Sequence, residues 1–258
     1  MIYFVYEALG NKFIILNNRI SMAKMKKYIN LENVDGLIYF KEHPLEMEIY
    51  NKDGTKATMC GNGLRCFLYH GVLNKKLINS QYKIKVSKTY IKTKILNMSP
   101  FYCCITLTPK ASFPIKTTVI FIKGKIVKIY TVLLGTLVHV LINDNEIAKS
   151  EIIKGIKKHF GNKNTGNICF INILSSTKME VIPFERGVGY TSSCGTGNAA
   201  SYYVFYKLGY LEKEIKIINP GGEMKLSYNN NSITLFGSAS LIKKGIINES
   251  NNRFSNTF

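Results

Sequence analysis

Two short segments of this sequence repeat one pattern, in which a cysteine is followed by Gly-X-Gly. The first begins at Cys60 and the second at Cys194, and each precedes an apolar stretch with helical spacing. Glycines at such a turn let backbone amides at the start of a helix approach an anion closely. The duplication therefore predicts a chain of two similar halves, each with a cysteine at the N-terminus of a helix.

The order of predicted elements supports this duplication. Each half reads as several strands, a Cys-Gly turn, a helix and further strands. Helical spacing also predicts additional helices over 22–29 and 151–160. We place an N-terminal domain at 1–110 and a C-terminal domain at 111–245, with 246–258 as a candidate addition to the N-terminal domain. The fold class is α+β.

The net charge of +19 raises the question of nucleic-acid binding. The positive charge comes almost entirely from lysines scattered along the chain, whereas nucleic-acid readers cluster their basic residues and favour arginine. We therefore expect a solvated basic surface and no nucleic-acid partner. No apolar run approaches the ~20 residues that span a bilayer, and the N-terminus lacks a secretory pattern. We expect a cytoplasmic protein without a membrane partner.

The cysteines indicate neither a disulfide framework nor a metal site. Six are present, without a C-x-x-C pair or a zinc-type Cys/His spacing. Apolar neighbours predict core positions for four of them, which are Cys66, Cys103, Cys104 and Cys169. Cys60 and Cys194 differ because both stand in glycine-rich turns.

Two thiols at two helix N-termini permit proton transfer on opposite faces of one carbon. A thiol's pKa near 8.5 falls at a helix N-terminus, so a cysteine there can be a base as the thiolate or an acid as the thiol. One of the two cysteines would act as the base and the other as the acid. Helix amides stabilise the charge that builds on a neighbouring carboxylate. Glu185 could hold an ammonium group and Arg186 a carboxylate. This chemistry needs no metal and no organic cofactor. His139, within an apolar strand, is by itself better explained as a core histidine.

These residues resemble the diaminopimelate epimerase family over most of the chain. The matching segments are 9–13, 51–66, 167–168, 185–197 and 220–222, and the first signature includes Cys60-Gly61-Asn62-Gly63-Leu64-Arg65-Cys66. The resemblance implies two pseudo-symmetric domains, each a barrel-like, mostly antiparallel sheet around a central helix. It implies an active site in the cleft between the domains and a homodimer.

The resemblance also implies roles for individual residues. Cys60 and Cys194 would be the acid/base pair, with Glu185 and His139 as further catalytic residues. The substrate-binding set would be Asn11, Asn51, Gly61, Asn62, Asn167, Glu185, Arg186, Gly195 and Thr196. The sequence departs from the family at two distal contacts. Gly36 stands where glutamine is usual and Thr136 where asparagine is usual.

The leading functional hypothesis is epimerisation of LL-2,6-diaminopimelate, a small diamino diacid, to the meso form, in lysine or peptidoglycan precursor synthesis. One alternative is a related cofactor-independent racemase of another amino acid, such as histidine. Another is a non-catalytic basic binding protein on the same fold. Arg186, Asn51 and Asn167 favour the diacid, whereas Gly36 and Thr136 favour the racemase.

Overall fold

The computed structural model describes residues 1–108, 114–143, 146–161 and 165–247, with the backbone of 255–256. Its contacts divide the chain into two compact units. Unit 1 comprises Met1–Leu107 and Phe236–Phe258, and unit 2 comprises Thr108–Leu235. The domain boundary expected at 110/111 lies outside the described residues.

Four helices and nineteen strands occur in the described part of the chain. The first ten elements are β1 (Ile2–Ala8), β2 (Asn11–Leu16), α1 (Met22–Leu31), β3 (Gly36–Lys41), β4 (Glu46–Asn51), β5 (Lys56–Ala57), α2 (Gly61–Leu73), β6 (Gln81–Val86), β7 (Thr89–Met98) and β8 (Phe101–Leu107). They are followed by β9 (Lys116–Ile122), β10 (Lys125–Leu134), β11 (Thr136–Ile142), α3 (Lys149–Phe160), β12 (Asn167–Ser175), β13 (Lys178–Glu185), β14 (Gly189–Tyr190), α4 (Gly195–Lys207), β15 (Glu214–Asn219), β16 (Gly222–Asn229) and β17 (Ser232–Gly237). The last elements are β18 (Ser240–Ile246) and β19 (Ser255–Asn256).

The same strand connections occur in both units. In unit 1, β2 and β3 pair in parallel across α1, and β4 and β6 pair in parallel across α2. In unit 2, β11 and β12 are parallel across α3, and β13 and β15 are parallel across α4. The other pairings, such as those of β1 with β2 and β10 with β11, are antiparallel. The predicted α+β class and the duplication are therefore confirmed, and the sheet formed by the described strands is not closed.

The C-terminal segment completes the sheet of unit 1. β18 pairs antiparallel with β1, and β9 pairs antiparallel with β10 in unit 2. β9 lies at the start of unit 2, before β10. Its counterpart in unit 1 is β18, which lies near the C-terminus of the chain. This pairing accounts for the assignment of residues from Phe236 onward to unit 1.

Each unit has one nearly buried helix and one helix on an outer face of its sheet. Most residues of α2 and α4 are buried, including the polar ones in their first turns. The outer helix α1 buries Met25 and Ile29 against β1, β2 and β3, and α3 buries Ile152 and Ile156 against β10, β11 and β12. Burial of one such side chain contributes about 1.5–3 kcal/mol. Among the described residues, no helix is long and apolar enough to cross a membrane.

Candidate active site

In unit 1, Cys60 is the N-cap of the central helix α2. Its extended backbone (φ −152°, ψ 109°) lets Sγ accept a hydrogen bond from the Gly63 amide at 3.2 Å. Serine, threonine, aspartate and asparagine are the usual N-caps, so a cysteine here is not explained by helix stability. The thiol is half-buried, and it lies at the positive end of the helix dipole. Cysteines at helix N-termini are in general more acidic than a free thiol.

The Asn62 side chain links the start of α2 to a neighbouring strand and to a buried cation. Its Nδ2 donates to Asn11 Oδ1 at 2.5 Å, and its Oδ1 accepts from Nη2 of Arg65. Asn62 is only 2% exposed. The structure therefore brings three predicted site residues, Cys60, Asn62 and Asn11, to one end of α2, and Gly61 is buried beside them.

Asn51 lies in a different local setting. It ends β4, it is exposed, and its Nδ2 donates to the Thr55 hydroxyl at 3.0 Å within the turn that precedes β5. Gly36 pairs with Asn51 across the β3–β4 ladder. A Cβ at Gly36 would lie 2.4 Å from the Tyr50 carbonyl oxygen, so this backbone has no room for a glutamine side chain. The departure at Gly36 is thus built into the local backbone.

In unit 2, Cys194 repeats the arrangement of Cys60. It is the N-cap of α4 (φ −126°, ψ 110°), and Sγ accepts from the Gly197 amide at 3.4 Å. The Thr196 hydroxyl also lies 3.4 Å from Sγ. Unlike Cys60, Cys194 is buried, with 6% of its surface exposed. Gly195 is the first residue of the helix, so its amide is among those without a partner inside the helix.

Asn167, at the start of β12, connects the Cys194 thiol to the end of β13. Its Nδ2 donates to Cys194 Sγ at 3.6 Å, and its Oδ1 accepts from the Arg186 backbone amide at 3.1 Å. Glu185 precedes Arg186, and its Oε1 accepts from the Thr191 hydroxyl at 2.7 Å. The Arg186 side chain is exposed. The structure thus gathers most of the predicted unit-2 residues around one thiol.

The surroundings of Cys194 favour its neutral form. Burial raises the pKa of the thiol well above its usual range, and the nearby Glu185 carboxylate raises it further. The Thr196 and Gly197 hydrogen bonds act in the opposite direction, with a smaller effect on the pKa. Cys194 is therefore suited to hold a proton and to donate it.

A buried polar network beneath Cys194 was not predicted from the sequence. Asn219 Oδ1 accepts from Ser193 Oγ at 3.0 Å and from Asn198 Nδ2 at 2.7 Å, and Asn219 Nδ2 donates to the Val181 carbonyl at 2.8 Å. All three side chains of the network are buried. They fix the residues on both sides of the Cys194 turn to β13 and β15. The sequence signal available for this network was the Pro-Gly-Gly turn that directly follows Asn219.

His139 lies on the side of the sheet away from Asn167. In the β11–β12 ladder, His139 pairs with Ile168, which belongs to the core beneath α3, and residue 138 pairs with Asn167. Paired residues share a face, and successive residues alternate. His139 is buried, its Nδ1 lies 2.9 Å from the Thr131 hydroxyl, and its ring lies 4.4 Å from that of Phe160. This placement favours the core interpretation. Thr136 is the half-buried first residue of β11.

The other cysteines with strongly shifted pKa values lie in the cores. Burial raises the pKa of Cys103 and of Cys169 to about 12, and it also raises the pKa of Cys66. Thiols held neutral in this way are not nucleophiles at neutral pH. Among the described residues, no group of three or more His, Cys, Asp or Glu side chains is arranged to hold a metal ion.

Solved structures share the fold of this chain. A hydroxyproline epimerase from Agrobacterium vitis matches with a TM-score of 0.71 and 9% identity, over 95% of this chain and 91% of that one. A phenazine biosynthesis protein of the PhzF family from Bacillus anthracis matches with a TM-score of 0.68 and 14% identity, over 95% and 97%. The chain thus has the same fold as these two proteins.

Sequence relatives identify the family. A diaminopimelate epimerase from Prochlorococcus marinus strain NATL1A is 30% identical over 90% of this chain and 92% of its own length. Another from Clostridium perfringens is 29% identical over 94% of both chains. The diaminopimelate epimerase family model matches residues 137–242. The chain belongs to the diaminopimelate epimerase family and is an isomerase, and the resemblance seen in the sequence is confirmed.

Proposed function

We propose that this enzyme epimerises LL-2,6-diaminopimelate to the meso form, with Cys60 and Cys194 as its two acid/base groups. The observation that carries the proposal is the duplicated helix start. In each unit a cysteine caps a buried helix, and its Sγ accepts a hydrogen bond from the backbone amide of the second glycine of the turn. Helix capping alone does not require cysteine, so a cysteine at the N-cap of the central helix in both units points to thiol chemistry.

In the proposed mechanism, both thiols face the α-carbon of one substrate from opposite sides. A thiolate at one cysteine removes the α-proton, and the electron pair of the C–H bond moves onto the carbon and its carboxylate. The thiol of the other cysteine then delivers its proton to the opposite face, which inverts the centre. One thiolate and one thiol remain with exchanged roles, so proton and charge are conserved.

Stabilisation of the carbanion is assigned to the two helix starts. The amides of Gly61 and Asn62, and those of Gly195 and Thr196, have no acceptor inside their helices. Such amides favour an anion, and they gain most when charge builds on the carboxylate in the transition state. This proposal explains why glycine follows each cysteine.

The reaction direction fits the different settings of the two cysteines. The Cys194 thiol is held neutral by burial and by Glu185, so it supplies the acid. Cys60 is half-buried at the positive end of α2, so it supplies the base. We assign Glu185 to the reacting ammonium group and Asn11 to the same end of the substrate.

The distal end of the substrate is assigned to three residues. Arg186 offers a bidentate partner for a second carboxylate. Asn51 and Asn167 offer amide groups, although both already make hydrogen bonds to the protein. A long diamino diacid uses all these groups. We further expect a cytoplasmic homodimer that serves lysine or peptidoglycan precursor synthesis.

One observation favours the alternative of a racemase for another amino acid. The backbone at Gly36 excludes the glutamine that the family places there, so one distal contact differs from the family's. A racemase of histidine or a similar amino acid would keep both thiols and change only this distal pocket. The chain is an isomerase, so the alternative of a non-catalytic basic binding protein is not supported.

The deciding experiment is α-proton exchange in D₂O, followed by NMR under reducing conditions. LL-diaminopimelate is compared with L-histidine, L-glutamate and L-lysine. Exchange with inversion for diaminopimelate alone supports the proposal. Exchange with another amino acid alone transfers the mechanism to the racemase alternative. No exchange with any of the four amino acids would reject both the diaminopimelate proposal and the racemase alternative.

A further inference from the structure

Among the residues that the structure describes, Arg65 is a buried cation without a carboxylate partner. It lies in α2, one turn beyond the start of the helix, and it is 2% exposed. In the part of the chain that the structure describes, no carboxylate lies within ion-pair distance of its guanidinium. Arginine stays charged in proteins, and removing an uncompensated charge from water is costly. The position therefore needs an explanation beyond packing.

One side of the guanidinium determines how the Asn62 amide is oriented. Nη2 donates to Asn62 Oδ1, and this leaves Asn62 Nδ2 to donate to Asn11 Oδ1. Without Arg65, Asn62 Oδ1 would lose its donor, and the amide could turn over. Arg65 thus fixes two side chains that the proposed function places at the reacting centre.

The other side of the guanidinium fits closely against Gly237, which belongs to the C-terminal segment of unit 1. A Cβ at residue 237 would lie 1.8 Å from Nη1, so the strand can carry only glycine there unless Arg65 moves. In the described structure Nη1 has no hydrogen-bond partner. The contact with Gly237 holds the cation in place but does not neutralise it.

Three thiols interact electrostatically with this cation: those of Cys60, Cys66 and Cys103. Cys66 and Cys103 are fully buried, and burial keeps them neutral in spite of Arg65. Cys60 is half-buried, and its Sγ already accepts one amide hydrogen bond. Of the three, Cys60 is therefore the thiol that can ionise and balance the charge.

We propose that Arg65 is a positioning residue of unit 1, whose guanidinium orients Asn62 and supplies the positive charge that stabilises the Cys60 thiolate. The inference rests on the proposed function, because it assigns Cys60 as the base. Other titratable groups that act on the Arg65–thiol cluster are Tyr102 on β8 and Glu7 on β1. At Cys66, the Glu7 charge raises the pKa of the thiol, with a smaller effect than the lowering by Arg65.

The test measures Cys60 itself, without any substrate. The native protein is alkylated with iodoacetamide under reducing conditions between pH 6 and pH 10, and mass spectrometry gives the rate at each cysteine. We expect the Cys60 rate to reach half its maximum below the pH of about 8.5 that is typical of an unperturbed thiol. We expect Cys194 to titrate above that value. A Cys60 midpoint at or above 8.5 in the native protein overturns the inference.

The same measurement on Arg65→Gln, Arg65→Lys and Arg19→Gln separates charge from fold. Arg65→Gln should slow Cys60 alkylation at pH 7 by about tenfold, which corresponds to one pKa unit. Arg65→Lys keeps the charge and should restore most of the rate. Arg19 is an exposed arginine of unit 1 paired with Glu48, and its substitution should leave the rate unchanged.

Each outcome has a distinct meaning. A folded Arg65→Gln protein with the native Cys60 rate overturns the inference. If Arg65→Gln does not fold by circular dichroism, Arg65→Lys and the native midpoint decide instead. Because no substrate is present, failure of the enzyme to epimerise diaminopimelate would reject the proposed function without changing the alkylation result.

Discussion

The two helix starts have the same backbone design but opposite electrostatic settings. Cys60 is half-buried and interacts with the Arg65 cation, whereas Cys194 is buried and interacts with the Glu185 carboxylate. Each thiol accepts a hydrogen bond from the backbone amide of the second glycine that follows it. The fold thus supplies the position of each sulfur, and the neighbouring charges differentiate them. A duplicated scaffold can hold two chemically different groups.

The polar groups that support the two turns differ in the same way. Unit 1 uses a cation and two amides, in the order Arg65, Asn62 and Asn11. Unit 2 uses the neutral network of Ser193, Asn198 and Asn219. A neutral network adds no charge beside Cys194, so burial and Glu185 control that thiol.

The largest effect is expected from removal of either thiol. Cys60→Ala or Cys194→Ala eliminates the proton donor or acceptor on one face, so epimerisation should fall by about 10²- to 10⁴-fold. The measurement is inversion of LL-diaminopimelate by NMR in D₂O. Cys104→Ala, which removes a buried thiol of β8, is the control. Near-native inversion in either variant would reject the two-thiol mechanism.

A smaller effect is expected from breaking the unit-2 network. Asn219→Ala leaves the buried Ser193 and Asn198 side chains without their shared acceptor, and each such loss costs about 1–3 kcal/mol. The free energy of unfolding, from urea titration, should fall by about 2–4 kcal/mol. Asn172→Ala is the control, because Asn172 is half-buried and pairs only with Glu180 in the described contacts. A loss no larger than that of the control would show that the network does not stabilise the turn.

The charge beside Cys194 provides a third test. The Glu185 carboxylate raises the pKa of the Cys194 thiol, so Glu185→Gln should lower that pKa. More thiolate is then present at pH 8, and alkylation of Cys194 should accelerate by up to about tenfold, for one pKa unit. Glu180→Gln on the same strand is the control. The reverse result, slower alkylation with the fold intact, would mean that Glu185 activates the thiol instead.

The sequence contained most of what positions the cysteines. Glycines after Cys60 and Cys194, followed by apolar residues with helical spacing, are local signals, and both helices begin directly after those cysteines. The helix predicted over 151–160 is observed as Lys149–Phe160. Local pattern thus suffices where the chain forms a helix at a glycine turn.

The features that differentiate the two thiols depend on contacts that sequence spacing does not reveal. Asn198 and Asn219 are 21 positions apart, and they meet only because β15 pairs with β13 beside α4. The burial of Arg65 depends on Gly237, which comes from the other end of the chain. Such pairings follow from topology. The sequence pattern therefore predicts the positions of the two cysteines but not the charged groups around them.

The smallest effect is expected at His139, where the sequence left two interpretations. Its position in an alternating strand made the face depend on a single residue of register, and the observed pairing with Ile168 places it on the α3 side. We expect His139→Gln to leave kcat/KM within about twofold, whereas loss of an acid/base group costs about 10²-fold or more.

The same variant should lower the free energy of unfolding by about 1 kcal/mol, because it disturbs the buried pair with Thr131. Thr131→Val should cost a similar amount, and the double variant should cost less than the sum, since both remove one contact. A large fall in kcat with unchanged stability would instead assign His139 to catalysis, and the two units would then differ by more than the charges around their thiols.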